Sequence, residues 1–273
     1  MAIQTHAKTA AKKKTAAKKK KTAKKKTAPK KKTAKRALPA PNIQAIGERL
    51  AAAIVKPESE LAFDTPFGLL TATILAAQST DKTVNQVMPT LLARYPSARE
   101  LAESEQEDVE RLILRTGFFR NKAKAIRGMA QKLVAEHGGE VPRTMEGMTS
   151  LPGVARKTAN VVLGTAYRLS AGFIVDTHVM RVSQRLGLTL HTDPVKIEQD
   201  LCRLFDANEW IDAGHRLTLH GRYTCLAKAP MCSDCAINEL CPSRQHETEG
   251  SWQERAAREN LRASAGLRAS RGY

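Results

Sequence analysis

Residues 151–182 read LPGVARKTANVVLGTAYRLSAGFIVDTHVMRV, a stretch with a tight turn, two helical segments and an ionisable group near the start of each. Leu151, Pro152, Gly153, Val154 and Ala155 make the turn, because Pro presets φ and Gly tolerates a conformation that a Cβ disfavours. Backbone N–H groups at such a turn and at the helix start after it suit a phosphate oxygen without reading a base. Helical spacing resumes from Arg156 to Leu169, which puts Lys157 in the first turn, near the positive end of the macrodipole. A cation there is disfavoured by some tenths of a kcal/mol, and Arg156 adds to the positive field. Both effects lower the cost of holding Lys157 as the neutral amine, the form that attacks carbon. Standing alone, the lysine reads better as a surface contact to phosphate. Asp176 follows the apolar run Phe173, Ile174 and Val175 and precedes a periodic segment from Thr177 to Leu186. It therefore reads as an N-cap and also as a carboxylate at the edge of a core, two compatible roles.

The same 3.6-residue spacing extends in both directions. Upstream it predicts helices over Ile43–Val55, from a start signal at Asp64, Thr65 and Pro66 through Gln78, and from a cap at Thr80 or Asp81. Ser104 with Glu107 forms a capping-box pattern ahead of Val109–Arg115, with Gly117 as a stop. A long amphipathic helix is expected over Asn121–His137, stopped by Gly138 and Gly139, and further helices over Pro194–Phe205 and Trp210–Arg222. The expectation is an all-α protein of about ten helices with no sheet. At 273 residues the chain has room for one large domain or two small ones of roughly 100–200 residues each.

The formal net charge of +18 points to a polyanionic partner. Fifteen Lys, one Arg and no acidic residue occur up to Arg36, leaving 29 basic against 27 acidic residues beyond it. Residues 1–36 are thus expected to be a disordered basic tail that tethers DNA nonspecifically, while the body is nearly neutral. Residues 245–273, rich in Arg, Glu, Ser and Gly, are expected to form a flexible extension. No apolar run approaches the roughly 18 residues that span a bilayer, and no signal-peptide core is evident, so a monomeric, cytoplasmic, nucleoid-associated protein without membrane partners is expected.

Four of the five cysteines crowd into one segment, Cys225, Cys232, Cys235 and Cys241, with the spacing C-x6-C-x2-C-x5-C. Four thiolates on one compact loop suit a metal site in a reducing compartment better than a disulfide framework, and spacing alone leaves zinc and a [4Fe-4S] cluster both open. Lys228, Arg222 and Arg244 border this loop within reach of phosphate. Cys202 sits inside a helical segment and reads as an inert core residue.

Taken together, Leu151–Val182, the cysteine spacing, AAQSTD at Ala76–Asp81, GFFRNKA at Gly117–Ala123 and HGRYTC at His220–Cys225 resemble the bacterial endonuclease III family over residues 40–244. The resemblance implies a two-lobed helix-hairpin-helix glycosylase fold. A six-helix barrel would take residues 59–170, and an iron–sulfur domain residues 37–58 and 171–244. It also implies a [4Fe-4S] cofactor on the four cysteines, and as partner double-stranded DNA containing damaged bases or abasic sites. Lys157 then matches the Schiff-base lysine and Asp176 the essential carboxylate of a bifunctional DNA glycosylase and abasic-site lyase acting on oxidised pyrimidines. Gln78 matches the residue that fills the gap left by a flipped nucleotide, and Leu151, Gly153, Ala155, Arg156, His178 and Lys228 fall among the DNA contacts. Phe118 stands where the family usually has a leucine wedge, and Ala155 where it usually has a second glycine. If position 155 needs a positive φ, the alanine costs about 1 kcal/mol.

Two rival readings make distinct demands. A mismatch adenine glycosylase would lack the lysine and carry a catalytic Glu before Gln78, whereas Thr71–Ala77 contains no acid. A noncatalytic DNA-binding protein would make Lys157 dispensable.

Overall fold

The computed structural model describes residues 41–244, and among them the chain forms eleven α-helices and no strand. The expected basic tail over 1–36 and the extension over 245–273 lie outside the described residues. No helix among the described residues is long and apolar enough to cross a membrane.

Helix starts follow local side-chain chemistry. α1 (Ile43–Ala53) begins after Asn42, whose Oδ1 accepts from Ala45 N at 3.1 Å. α2 (Pro66–Leu75) has Thr65 accepting from Gly68 N at 3.0 Å and Pro66 in the first turn, where its missing N–H costs nothing. α3 (Asp81–Arg94) is capped by Thr80. α6 (Phe119–His137) ends on Gly138 at φ 63°, a left-handed position that glycine fills without strain. α9 (Thr177–Leu186) starts on Asp176 and stops at Gly187. α8 (Arg156–Tyr167), α10 (Pro194–Leu204) and α11 (Trp210–Tyr223) fall within two residues of their expected ends.

The differences have identifiable causes. α2 stops at Leu75 rather than Gln78, since Gln78 adopts φ 52° and turns the chain. Ser104 does not cap α5 (Gln106–Ile113): its buried hydroxyl donates to Leu101 O at 2.7 Å and accepts from Arg127 Nε at 3.2 Å. A capping box forms instead at Ser97 and Glu100, on the short α4 (Ala98–Ala102), which periodicity did not announce. α7 (Met145–Thr149), one turn long and capped by Thr144, also went unannounced.

Among the described residues two large hydrophobic cores result, with a small third cluster of Ile54, Leu219 and Tyr223. The first is built from α2 to α8, with Leu69, Leu75, Leu91, Ile126, Met129 and Met148 fully buried or nearly so. The second gathers Phe173, Val179, Leu201 and Leu217 and takes in Ile46 and Leu50 of α1, although α1 precedes the first core in sequence. Phe173 and Phe205 stack in it with ring centroids 5.5 Å apart. Polar ties run between distant segments: Arg222 of α11 donates to Asp81 Oδ2 at 2.7 Å and to Glu60, while Thr165 and His215 lie 3.2 Å apart. The chain passes from one core to the other between α8, whose first turn carries Lys157, and α9, which Asp176 caps.

Candidate active site and nucleic-acid interface

The turn before α8 is built around Gly153, at φ 76°, where a Cβ would stand 3.0 Å from Ala125 Cβ. Ala155, at φ −90° and ψ 169°, has ordinary extended backbone, so alanine carries no strain there. Leu151 takes a structural place: its side chain is buried in the first core and its N–H donates to Met148 O at 3.1 Å. Ala155 has no side chain able to cap α8. The N–H groups of Gly153, Ala155, Arg156 and Lys157 consequently make no hydrogen bond among the described residues, leaving an anion-binding helix start.

Lys157 is exposed and has no hydrogen-bond or ion-pair partner among the described residues. Arg156, one residue earlier, differs: its Nε donates to Glu198 Oε2 at 2.7 Å. That hydrogen bond holds its guanidinium further into the charged range, and the Glu198 carboxylate offsets the positive charge that Arg156 places beside Lys157. Asp176 is half-buried, and its Oδ1 accepts from Val179 N at 2.8 Å as the cap of α9. No ion pair joins it to Lys157; its charge acts on His178, Arg181 and His215.

His178 is half-buried, and burial pushes its pKa down, outweighing the pull of Asp176. Arg181 Nη2 lies 3.2 Å from its Nδ1; a guanidinium only donates, which makes Nδ1 the acceptor and puts the proton on Nε2. Arg181 also donates to Gly221 O at 2.7 Å and Cys225 O at 3.0 Å, tying α9 to the start of the cysteine loop.

Gln78 and Phe118 are both exposed and both left-handed, at φ 52° and 47°. Phe118 is 64 % exposed, a large apolar group standing out from the turn between the first core's helices α5 and α6. Lys122 supports that turn from below: it is 5 % exposed, its Nζ donates to Thr116 O at 2.8 Å, and burial pushes its pKa down. Nothing in the sequence pattern marked Lys122, although a lysine on the inner stripe of an amphipathic helix is a usable signal.

Cys225, Cys232, Cys235 and Cys241 line one cavity of about 40 Å³, together with Arg185, His220 and Ile237. Burial pushes the Cys235 thiol up to about 12 and that of Cys241 up as well. Arg185 organises the loop, lying 3.2 Å from Cys225 Sγ and donating to Leu226 O at 2.7 Å and Ala227 O at 2.8 Å. Sequence reading missed Arg181 and Arg185, whose partners lie some forty residues away. Among the described residues no set of three or more His, Cys, Asp or Glu is arranged to hold a single metal ion. Four soft donors around a shared cavity are chemically suited to a thiolate-bound metal group. Lys228 is exposed on this loop, and Cys202 is half-buried against the second core, its thiol pushed up by burial.

Residues 71–207 match the family described as HhH-GPD superfamily base excision DNA repair protein. The chain is 53% identical over 185 residues to endonuclease III of Synechocystis sp., covering 68% of this chain and 84% of that protein. It is 41% identical over 189 residues to endonuclease III of Bacillus subtilis, covering 69% and 86%. A solved structure of a trapped endonuclease III–DNA covalent intermediate, an estranged-adenine complex, superposes with a TM-score of 0.71 at 35% identity over 78% of this chain and 96% of that one. The chain belongs to the endonuclease III family, helix-hairpin-helix DNA glycosylases and abasic-site lyases within the HhH-GPD superfamily of base excision DNA repair proteins.

Proposed function

We propose that this enzyme removes oxidised pyrimidines from duplex DNA and cleaves 3′ to the resulting abasic site through a Schiff base on Lys157. The observation that carries the reading is an exposed, unpaired lysine in the first turn of a helix whose leading N–H groups are also unpaired. Phosphate held by those amides brings the sugar backbone to the amine without sequence preference. The covalent endonuclease III–DNA intermediate in the related structure supports the same chemistry.

The damaged nucleotide is flipped out of the duplex, since its sugar is out of reach inside the stack. Phe118 wedges into the stack and Gln78 offers its amide to the orphaned base, roles for which exposed groups at left-handed turn positions are suited. Asp176 assists deprotonation of the Lys157 ammonium and stabilises positive charge on the sugar as the glycosidic bond breaks. The neutral amine attacks C1′ and the base departs with its bonding electron pair; the C1′–O4′ bond of the resulting aminal then breaks, O4′ leaving as the 4′-hydroxyl, to give the imine. The imine acidifies the C2′ proton; its removal expels the 3′ phosphate, and hydrolysis releases the lysine. Gly153, Ala155 and Arg156 at the hairpin, with His178 and Lys228, complete the DNA contacts, Leu151 serving through the position of the turn. The absence of an acid in Thr71–Ala77 disfavours mismatch adenine excision.

Cys225, Cys232, Cys235 and Cys241 would hold a [4Fe-4S] cluster, which would serve to shape the loop bearing Lys228. Arg185 would brace that loop through its carbonyls. The two cores support, among the described residues, lobes of about residues 59–170 and of 41–58 with 171–244; residues 37–40 of the expected second lobe lie outside the described residues.

Borohydride reduces an imine to a stable amine, so the protein should become covalently attached to duplex DNA bearing thymine glycol or an abasic site. Lys157→Ala should abolish attachment while leaving binding to a noncleavable abasic analogue within about threefold. Attachment that survives the substitution, or equal loss of attachment and binding, refutes the lysine mechanism.

A further inference from the structure

We infer that Glu198, on α10, is a positioning residue that locks the start of α8 to the segment leading into Asp176, so that Lys157 and Asp176 address the same sugar. The inference rests on the lysine reading above and adds a residue to it.

Glu198 is 5 % exposed, and its two oxygens have separate tasks. Oε2 accepts from Arg156 Nε at 2.7 Å and Oε1 from Asn160 Nδ2 at 3.0 Å. Arg156 and Asn160 lie one turn apart on α8 and bracket Lys157. The same Asn160 Nδ2 donates to Phe173 O at 3.1 Å, three residues before Asp176. The buried carboxylate and the Asn160 amide it holds therefore join three segments: α10, α8 and, through Asn160, the run into α9. Asn160 Oδ1 is buried without a partner, so the amide's orientation is set wholly by its two donations. Gly172 completes the arrangement, because a Cβ there would overlap Glu198 Oε1 and press on Asn160 at 2.9–3.0 Å.

A buried carboxylate is a poor source of stability, since an apolar side chain of similar volume packs with less desolvation. What it supplies here is orientation. Lys157 has no partner among the described residues, and its amine is directed there by the setting of the helix that carries it. Attack needs the reacting atoms aligned at roughly 3–3.5 Å, and a misplacement of about 1 Å can lower a rate about 100-fold.

Glu198→Gln keeps the shape but turns one acceptor into a donor facing Arg156 or Asn160. Single-turnover base excision and borohydride trapping should both slow by about 10- to 100-fold. Affinity for a duplex with a noncleavable abasic analogue should stay within about threefold. The pH–rate profile should fall in height without changing shape, because Glu198 exchanges no proton with substrate. Equal loss of rate and affinity, an altered profile, or an unchanged rate each overturns the inference. Should E198Q not fold, Glu198→Asp, which keeps the charge and shortens the reach, carries the same test: slowed chemistry at unchanged affinity supports positioning, and an unchanged rate refutes it. Wild-type protein that fails to trap refutes the lysine mechanism; wild type that traps no faster than a folded variant refutes only the role of Glu198.

Discussion

Replacing Asp176 by Asn and by Ala separates its two roles. The carboxylate Oδ1 accepts from Val179 N at 2.8 Å, the bond that starts α9. Asparagine presents a carbonyl oxygen at the same reach and is as good an N-cap, so Asp176→Asn should alter stability by no more than a few tenths of a kcal/mol. Alanine removes the acceptor at a cost of about 1 kcal/mol, which for a folded unit of this size lowers Tm by roughly 2–4 °C. Both substitutions remove the charge that assists the lysine and faces the developing cation. Loss of such assistance typically costs about 10²- to 10⁴-fold in rate, roughly 3–5 kcal/mol of barrier. The pair should therefore match each other in single-turnover excision of thymine glycol and differ in thermal midpoint. If Asp176→Asn excises within about threefold of wild type, the carboxylate is a cap and nothing more, and the proposed division of labour is wrong.

Phe118→Gly should raise the midpoint slightly, since a non-glycine residue at φ 47° carries about 1–2 kcal/mol of strain, while weakening binding to lesion duplex; unchanged binding would remove Phe118 from the interface. His215 is 7 % exposed, and burial pushes its pKa below the usual 6.5, so the unfolded chain takes up the proton first as pH falls. Its contribution to stability is complete above about pH 6.5 and is lost as pH falls through the lowered value, so His215→Gln should show a shallower decline in Tm between about pH 7 and pH 5 than wild type, and a parallel decline would contradict this. Deleting residues 1–36, which carry sixteen of the chain's 45 basic residues, should flatten the salt dependence of nonspecific DNA binding by about 0.9 in log–log slope for each phosphate that the tail neutralises, with single-turnover rates unchanged; an intact slope would mean the tail does not engage DNA.

Much of the molecule was legible wherever the deciding interaction is local. Thr65, Thr80 and Asp176 cap the helices they precede, and Gly138 ends α6, because the groups that satisfy a helix terminus lie within three or four residues of it. The four cysteines and the hairpin before Lys157 were likewise readable as spacing. Ser104 misled for the complementary reason: a partner 23 residues away, Arg127, and the carbonyl of Leu101 claim its hydroxyl before any cap forms. Gln78 fits a helical period but sits in the left-handed turn that reverses the chain toward α3. Arg181 and Arg185 read as the polar face of an amphipathic helix until tertiary packing brings the carbonyls of the cysteine loop against them.

Arg156 and Lys157 show the boundary most clearly. Composition and helical register by themselves put two adjacent cations at the start of α8, with Asp176 at the start of α9. Only the tertiary structure separates their fates: α10 brings Glu198 to Arg156 from 42 residues away and leaves Lys157 without a partner among the described residues. Local sequence dictates where a charge is carried, because helix period and capping act over a few residues. Whether that charge is neutralised or left open depends on groups delivered by other helices.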